Sequence, residues 1–368
     1  MTECDVVIVG AGPAGSATAL ALLGAGVDRI VLIDNPKPRP FSIGESAAPD
    51  VATKLRLLGC SDNLADLGHT PYQANLSRWG GERRYDDFLH RATGHGWHLD
   101  RARFDRDLRD QAADRGATTM RPAKLEHLTF EADQWQLMVQ QEQRTHRVRC
   151  RYLVDASGRH SALARQLGAE RKRIDTLTAL AWTVPDGTAL SGLSMVESCA
   201  EGWWYATCLP NGQGVVSLMS DADLIRQHNL RDSETLRHLW RHSVELKRWL
   251  PPSDAASIDP VAFAAHSGFL TQPVGPGWIA VGDAMAAFDP LASAGIANAL
   301  GDTLAARPAI LGWLEQHSLA PAEAYADRAN SGIERFLREW LLQYSRETQW
   351  LDQPFWQRRR KTHEKAFR

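Results

Sequence analysis

The chain has 368 residues, enough for two or three structural units around sizeable cores. Lysine and arginine number 42 against 44 aspartates and glutamates, so the basic excess of a nucleic-acid binder is missing. No stretch approaches the ~20 apolar residues of a membrane span, and an apolar run begins at Val6 with no basic n-region before it, so the expectation is a cytoplasmic protein without a signal.

Residues 5–9 carry a run of β-branched side chains and read as a buried strand. The turn Gly10-Ala11-Gly12-Pro13-Ala14-Gly15 follows. Pro13 suits a first helical turn, where its missing N–H costs nothing, and residues 14–25 read as a helix closed by Gly24 and Gly26. A second strand, 30–33, ends in Asp34. A lone G-x-G-x-x-G is weak evidence, but strand, turn, helix, strand and acid in this order make a dinucleotide site. Gly10 permits the tight turn, Gly12 lets the backbone approach a pyrophosphate, and Gly15 allows close helix–strand packing. The helix N-terminus offers N–H groups and a positive dipole end to the phosphates. Asp34, 19 residues after Gly15, is placed to accept from a ribose 2′-OH and disfavours a 2′-phosphate.

Pro36, Pro38 and Pro40 mark an extended loop, and a helix is expected at 51–58. Asp100 is a good N-cap for a helix at 101–115, Gly116 a good stop, and Phe104, Leu108 and Ala112 give it one buried face. Strands are expected at 125–130, 135–139 and 146–154, the last running into Asp155-Ala156-Ser157-Gly158. Strands at 177–184, 193–199, 203–209 and 215–219 read as an inserted antiparallel sheet that covers substrate. Helical segments follow near 233–248, then a core strand at 278–281, Gly282-Asp283, and a helix at 293–306. Residues 321–368 read as mostly helical, and the basic run Arg358-Arg359-Arg360-Lys361 reads as a solvated face.

The five cysteines are scattered, with no C-x-x-C pair, which reads as reduced thiols and no zinc site. Tryptophan (13) outnumbers tyrosine (6) and phenylalanine (10). Core packing accounts for such an excess; an aromatic pocket over a planar ring is the sharper alternative.

Two later segments decide which dinucleotide is bound, by resemblance. Tyr152-Leu153-Val154-Asp155-Ala156-Ser157-Gly158-Arg159 resembles the second flavin motif of the p-hydroxybenzoate-hydroxylase-like superfamily. Trp278-Ile279-Ala280-Val281-Gly282-Asp283-Ala284, with Asp289-Pro290 and Gly295, resembles its third. Leu99 to Asp105 is similar to the family's Arg-bearing helix start. The resemblance implies FAD, held through Gly10, Gly12, Pro13, Ala14, Gly15, Asp34, Ser46, Arg101, Asp155, Gly158, Gly282, Asp283, Pro290 and Gly295. It implies an α/β fold: a Rossmann-like, glutathione-reductase-type FAD domain of the hydroxylase kind with an inserted antiparallel-sheet substrate domain and a helical C-terminus. The expected division is FAD binding at 1–75, 99–170 and 271–310, substrate-domain strands at 76–98, the substrate sheet at 171–270, and a helical segment at 311–368.

Ile43-Gly44-Glu45-Ser46-Ala47-Ala48-Pro49 resembles a loop of the tryptophan halogenases. Those enzymes need a lysine some thirty residues on; Ser77 or Arg78 stands there, and arginine is a poor nucleophile. Their W-x-W-x-I-P element is degraded to Gly202-Trp203-Trp204-Tyr205-Ala206-Thr207-Cys208-Leu209-Pro210. The motif order, the Gly-Glu-Ser loop and Pro354-Phe355-Trp356-Gln357-Arg358-Arg359 are similar to the flavoproteins that mature tryptophylquinone enzymes. That resemblance implies a FAD-dependent monooxygenase acting through a C4a-hydroperoxyflavin on a tryptophan of a quinoprotein precursor. A small-molecule aromatic hydroxylase, a halogenase-like enzyme, an isoprenoid reductase and a non-catalytic FAD-binding chaperone remain as alternatives.

Glu45 and His266 are candidates for proton handling, each with a purely structural reading beside it. Trp203, Trp204 and Tyr205 are candidates for the substrate wall; strand alternation sends Trp203 and Tyr205 to one face and Trp204 to the other. Gly94-His95-Gly96 and Gly275-Pro276-Gly277 lack the context of a second nucleotide fingerprint. NAD(P)H is therefore expected to bind transiently, or a separate reductase to supply the electrons.

Overall fold

The computed structural model describes residues 1–36, 41–88, 94–253 and 257–366; Pro38 and Pro40 of the expected loop lie outside them. A six-stranded sheet forms the centre, in the order Val274–Gly275, Trp278–Ala280, Tyr152–Asp155, Val6–Val9, Ile30–Ile33, Thr118–Met120. All its pairings are parallel except that of the edge strand Val274–Gly275. Parallel strands are buried on both faces, which is why Val6–Val9 and Ile30–Ile33 are unbroken Val/Ile/Leu runs. Val6, Ile8, Ile30 and Leu32 point into one core; Val7, Val31 and Ile33 point into another.

The first core lies under the helices Pro13–Leu23, Arg101–Asp114 and Gly295–Gln316. Pro13–Leu23 is built of small residues and is buried almost throughout, so the long helix Gly295–Gln316 packs close, with Thr18 Oγ1 3.2 Å from Thr303 Oγ1. The second core lies under the antiparallel strands Ala123–Glu131, Gln134–Gln141 and Arg144–Cys150. The single strand expected at 146–154 is two strands. Val148 and Cys150 pair within the antiparallel sheet, the chain turns at Arg151, and Tyr152–Asp155 enters the central sheet.

A seven-stranded sheet stands beside this unit, in the order Val261–Ala264, Leu177–Val184, Gly214–Asp221, Gly202–Cys208, Leu193–Cys199, Ala74–Trp79, Glu82–Asp87. One face, with Leu180, Trp182, Trp204 and Leu218, is covered by Ser233–His242 and Glu245–Trp249. The helical pattern at 233–248 breaks between these two helices because the buried Glu197 carboxylate accepts the N–H groups of Val244, Glu245 and Leu246. The other face carries Ala179, Trp203 and Met219 and meets Trp340, Tyr344, Phe355 and Trp356 from the helices Ala320–Ser345 and Pro354–Ala366.

The basic run near the C-terminus is a solvated face except at Arg359. Arg359 is buried, paired with Asp221 at 3.0 Å and lying 3.5 Å from the Phe355 ring centre, and Arg358 pairs with Asp221 and Asp223. Among the described residues, no helix is long and apolar enough to cross a membrane. All five cysteines are free thiols.

Candidate active site

A cavity of about 900 Å³ lies between the carboxyl ends of the central strands and the seven-stranded sheet. This is where open α/β sheets place their ligands, and the volume is that of a small-molecule site.

The glycines of the first turn divide two tasks. Gly10 adopts φ +106°, and a Cβ there would sit 2.2 Å from the Ala156 carbonyl oxygen. A Cβ on Gly15 would sit 1.8 Å from the Gly10 oxygen. Both are therefore fixed by packing within the protein. A Cβ on Gly12 would meet nothing within 4 Å, and Gly12, Pro13 and Ala14 line the cavity. The first helical turn behind them holds no acidic side chain. This open cradle at a helix N-terminus fits a pyrophosphate. Asp34 stands outside the cavity, accepting the Ala11 N–H at 3.3 Å and pairing with Arg121 at 2.8 Å.

Asp155 and Gly282, also expected to hold the cofactor, do not line the cavity either. Asp155 is fully buried: Oδ1 takes the Ser157 N–H and hydroxyl, Oδ2 the Ala164 N–H, so the carboxylate ties the second motif to its own helix. Gly282 adopts φ +58°, and a Cβ there would lie 2.8 Å from Ala14 Cβ, so its glycine serves the contact between the third motif and the first turn. Their neighbours Gly158 and Asp283 do line the cavity, and Asp283 pairs with Arg159 at 3.4 Å. Pro290 and Gly295 line it too. Asp289 Oδ1 accepts the Leu291 N–H at 2.9 Å, which shapes this loop, and a Cβ on Gly295 at the start of the long helix would meet nothing within 4 Å.

The Ile43–Ser46 stretch forms another wall. Asp100 caps its helix by accepting the Arg103 N–H at 3.0 Å, which sets Arg101 at the helix start. The Arg101 guanidinium donates to the carbonyls of Ile43 (2.8 Å) and Gly44 (3.2 Å), with Asp105 on its other side. It straps the loop that presents Glu45 and Ser46. Glu45 is 1 % exposed, and its Oε2 has no partner in the protein. Burial pushes the Glu45 carboxyl up; hydrogen bonds from backbone N–H groups and from Tyr205, and the Arg101 charge, pull against that. Ser46 Oγ lies 2.8 Å from the Tyr205 hydroxyl.

Alternation along Gly202–Cys208 works as expected, with one consequence for the candidates. Trp203 and Tyr205 line the cavity, while Trp204 points into the opposite core against Trp182 and has no access to it. The Trp203 indole N–H is spent on the Tyr344 hydroxyl at 2.9 Å, so Trp203 offers the cavity carbon surface. His266 also lines the cavity. Burial, with Arg173, Arg159, Arg171 and His160 nearby, lowers its pKa to about 4, so the imidazole is neutral at neutral pH and is not an acid there.

Several cavity residues escaped the sequence reading. Arg159 sits within the second motif and Asp289 just before Pro290, so motif context could have flagged them. Ser217, Met219, Phe263 and Phe336 carry no local signal, because sheet register and helix docking bring them there.

A family model described as FAD binding domain matches residues 3–313. The chain belongs to this family. It is a flavin-dependent enzyme. It is 30% identical over 366 residues, 98% of this chain and 97% of the other, to the protein of Marinomonas mediterranea named as FAD-dependent oxidoreductase LodB. Among solved structures it resembles the peptidyl tryptophan dihydroxylase QhpG, which is essential for tryptophylquinone cofactor biogenesis, at 26% identity and TM-score 0.78, covering 97% of this chain and 79% of that one. The myxobacterial chondrochloren halogenase CndH shares the fold, with TM-score 0.88 at 22% identity over 100% of this chain and 89% of that one.

Proposed function

We propose that this enzyme is a FAD-dependent monooxygenase that hydroxylates a tryptophan side chain of a partner precursor polypeptide during tryptophylquinone biogenesis. The observation that carries the reading is one cavity joining an open glycine cradle at Gly12 to an aromatic wall of Trp203, Tyr205 and Phe263. Likeness to a peptidyl tryptophan dihydroxylase over 97% of the chain supports the substrate class. Among the described residues no lysine lines the cavity, which disfavours a halogen carrier there.

Reduced FAD, when bound, supplies the activation of O2. In this reading the N–H groups behind Gly12 would hold the pyrophosphate, Asp34 the adenosine ribose and Asp283 the ribityl chain, with Gly158 and Arg101 beside them. The helix start at Gly295 favours negative charge on the reduced ring. Trp203, Tyr205 and Phe263 exclude water and orient the substrate indole. As the hydroxylated ring regains aromaticity its C–H bond breaks, the electron pair returns to the ring, and the proton passes to Glu45. The electrons come from transiently bound NAD(P)H or a separate reductase, and the reaction runs in the cytoplasm.

Mass spectrometry of a quinoprotein precursor co-expressed with this enzyme tests the proposal. A gain of one or two oxygen atoms on a tryptophan, lost when the enzyme is omitted, is the expected result. Unmodified precursor beside a flavin that turns over would reject it.

A further inference from the structure

The two edges of the seven-stranded sheet differ in chemistry. At one end Glu82–Asp87 carries a charged side chain at every position but Tyr85. Charges of this kind keep a foreign strand from pairing. At the other end Val261–Ala264 reads Val-Ala-Phe-Ala, without charge, and a proline stands only before it, at Pro260. Ala262 and Ala264 are exposed.

The ladder fixes what this second edge offers. Val261–Ala264 runs antiparallel to Leu177–Val184, with Ala264 opposite Thr178 and Ala262 opposite Leu180. Just past the strand the Ala265 N–H donates to the Leu177 carbonyl at 3.1 Å. Hydrogen-bonded pairs recur at every second residue of an antiparallel ladder, so Phe263 and Val261 also bond inward. The far side of Leu177–Val184 agrees. There the Ala222 N–H donates to the Thr176 carbonyl at 3.2 Å, which turns the backbone groups of Thr178 and Leu180 toward Gly214–Asp221. The N–H and C=O groups of Ala262 and Ala264 therefore point outward, and among the described residues they meet no partner.

This edge is also a rim of the cavity. Phe263 and Ala265 lie on the sheet face that carries Trp203 and Met219, and residues 263–266 line the cavity. Phe41 packs edge-on against Phe263, with ring centres 5.4 Å apart, whereas the wall at Ala265 is a single methyl group.

We propose that the Val261–Ala264 edge is the docking site of the substrate polypeptide, which adds to the sheet as an extended strand and carries its tryptophan onto the cavity face. Outward N–H and C=O groups on alternate residues match the repeat of an extended backbone. A free indole has no such repeat to offer. A peptide residue opposite Ala264 exchanges both hydrogen bonds with it. The next peptide residue, level with Ala265, has its side chain on the cavity face, over the methyl group and beside the Phe263 ring. Main-chain bonds then supply affinity, and the aromatic wall selects the side chain. The proposal rests on the reading of the substrate as a polypeptide.

Hydrogen exchange of the unaltered enzyme tests it, with the purified quinoprotein precursor as the probe. The amides of Ala262 and Ala264 should become slow to exchange when the precursor is added. Unchanged exchange there beside a precursor that is oxidised would overturn the proposal. Ala264→Pro removes one outward N–H and leaves every bond to Leu177–Val184 in place, since an edge strand tolerates proline where the N–H faces out. That variant should keep its fold and bind the precursor about tenfold more weakly than Ala264→Ser, which keeps the N–H. Equal affinities in calorimetric titration would also overturn the proposal. A precursor that protects Ala262 and Ala264 but keeps its tryptophan unmodified would leave the docking site standing and count against the hydroxylation reading instead.

Discussion

The Tyr344 hydroxyl donates to Asp289 Oδ2 at 2.7 Å, joining the C-terminal helices to the loop at the start of the long cavity-lining helix. Asp289 is buried, and its carboxyl is pushed up by burial and by Asp175, while Tyr344, the Leu291 N–H and Trp340 stabilise the charged form. Tyr344→Phe removes one of these donors and the acceptor of the Trp203 indole N–H together. A lost hydrogen bond to a charged group costs about 1.5–3 kcal/mol. The variant should melt a few degrees lower and release FAD more readily, because the 289–295 loop loses its tether. Thermal unfolding and FAD release on dilution read both; an unchanged melting point with unchanged FAD retention would show that the tether is idle.

The turn at the first motif separates folding from cofactor binding. Gly12 has room for a side chain and a φ of −78°, so Gly12→Val should leave the fold intact. The valine then occupies the place of the pyrophosphate, and the protein should purify folded and colourless. Gly15→Val puts a side chain into the Gly10 carbonyl and should fail to fold. Circular dichroism and visible absorbance distinguish the two, and a yellow Gly12→Val protein would place the flavin elsewhere.

The sequence reveals the cofactor half of the molecule far better than the substrate half. The flavin motifs are local: Gly12, Asp283 and Gly295 sit on turns whose neighbours in sequence are also their neighbours in space. Even there, Asp155 and Gly282 are spent on packing, a distinction that motif spacing alone does not carry. The substrate wall is assembled from a distance. Whether Trp203 or Trp204 faces the cavity follows from alternation, but which face is the cavity depends on the Ala320–Ser345 and Pro354–Ala366 helices packing across the sheet. His98, Ser194 and Thr207 lie far apart in sequence and meet only through strand pairing, Ser194 opposite Thr207 and His98 opposite Ser46. The break at Arg151 was hidden because the alternation of Val148 and Cys150 continues in phase to Tyr152 and Val154 across it.

Acid should destabilise the fold from pH 6.5 downward through buried histidines. His98, His266 and His69 all have lowered pKa values, about 3 for His98 and about 4 for His266, with burial the main cause in each. The unfolded chain binds protons at these sites below 6.5 while the folded chain does not, so their contribution is complete above 6.5 and is lost as pH falls toward 4. The raised carboxyls of Glu45, Asp155 and Asp289 shift in the opposite sense, so the histidine term is best isolated by difference. Each fully neutral histidine contributes a slope of up to about 1.4 kcal/mol per pH unit. Urea unfolding at pH 7, 6 and 5 should show a shallower decline in His98→Gln than in the unaltered enzyme; parallel declines would mean that His98 protonates freely in the folded state.

Glu45 should show the reverse dependence. Its folded pKa is raised by burial, so ionisation is penalised in the fold: stability is complete below the unfolded value near 4.5 and is lost as pH rises through the folded value. Glu45→Gln removes the ionisation and keeps the side-chain shape. The variant should therefore match the unaltered enzyme in stability in acid, below the unfolded value, and exceed it in melting point at pH 8. If Glu45 takes the proton in the proposed tryptophan hydroxylation, the variant should also lose about 10²-fold or more in that activity, the usual loss when a proton-transfer group is removed. A gain in stability with a loss in turnover is the mark of a carboxylate kept in an unfavourable place for its chemistry. A Glu45→Gln protein less stable than the unaltered enzyme at pH 8 would mean instead that the carboxylate holds the Ile43–Ser46 loop, and that its role is structural.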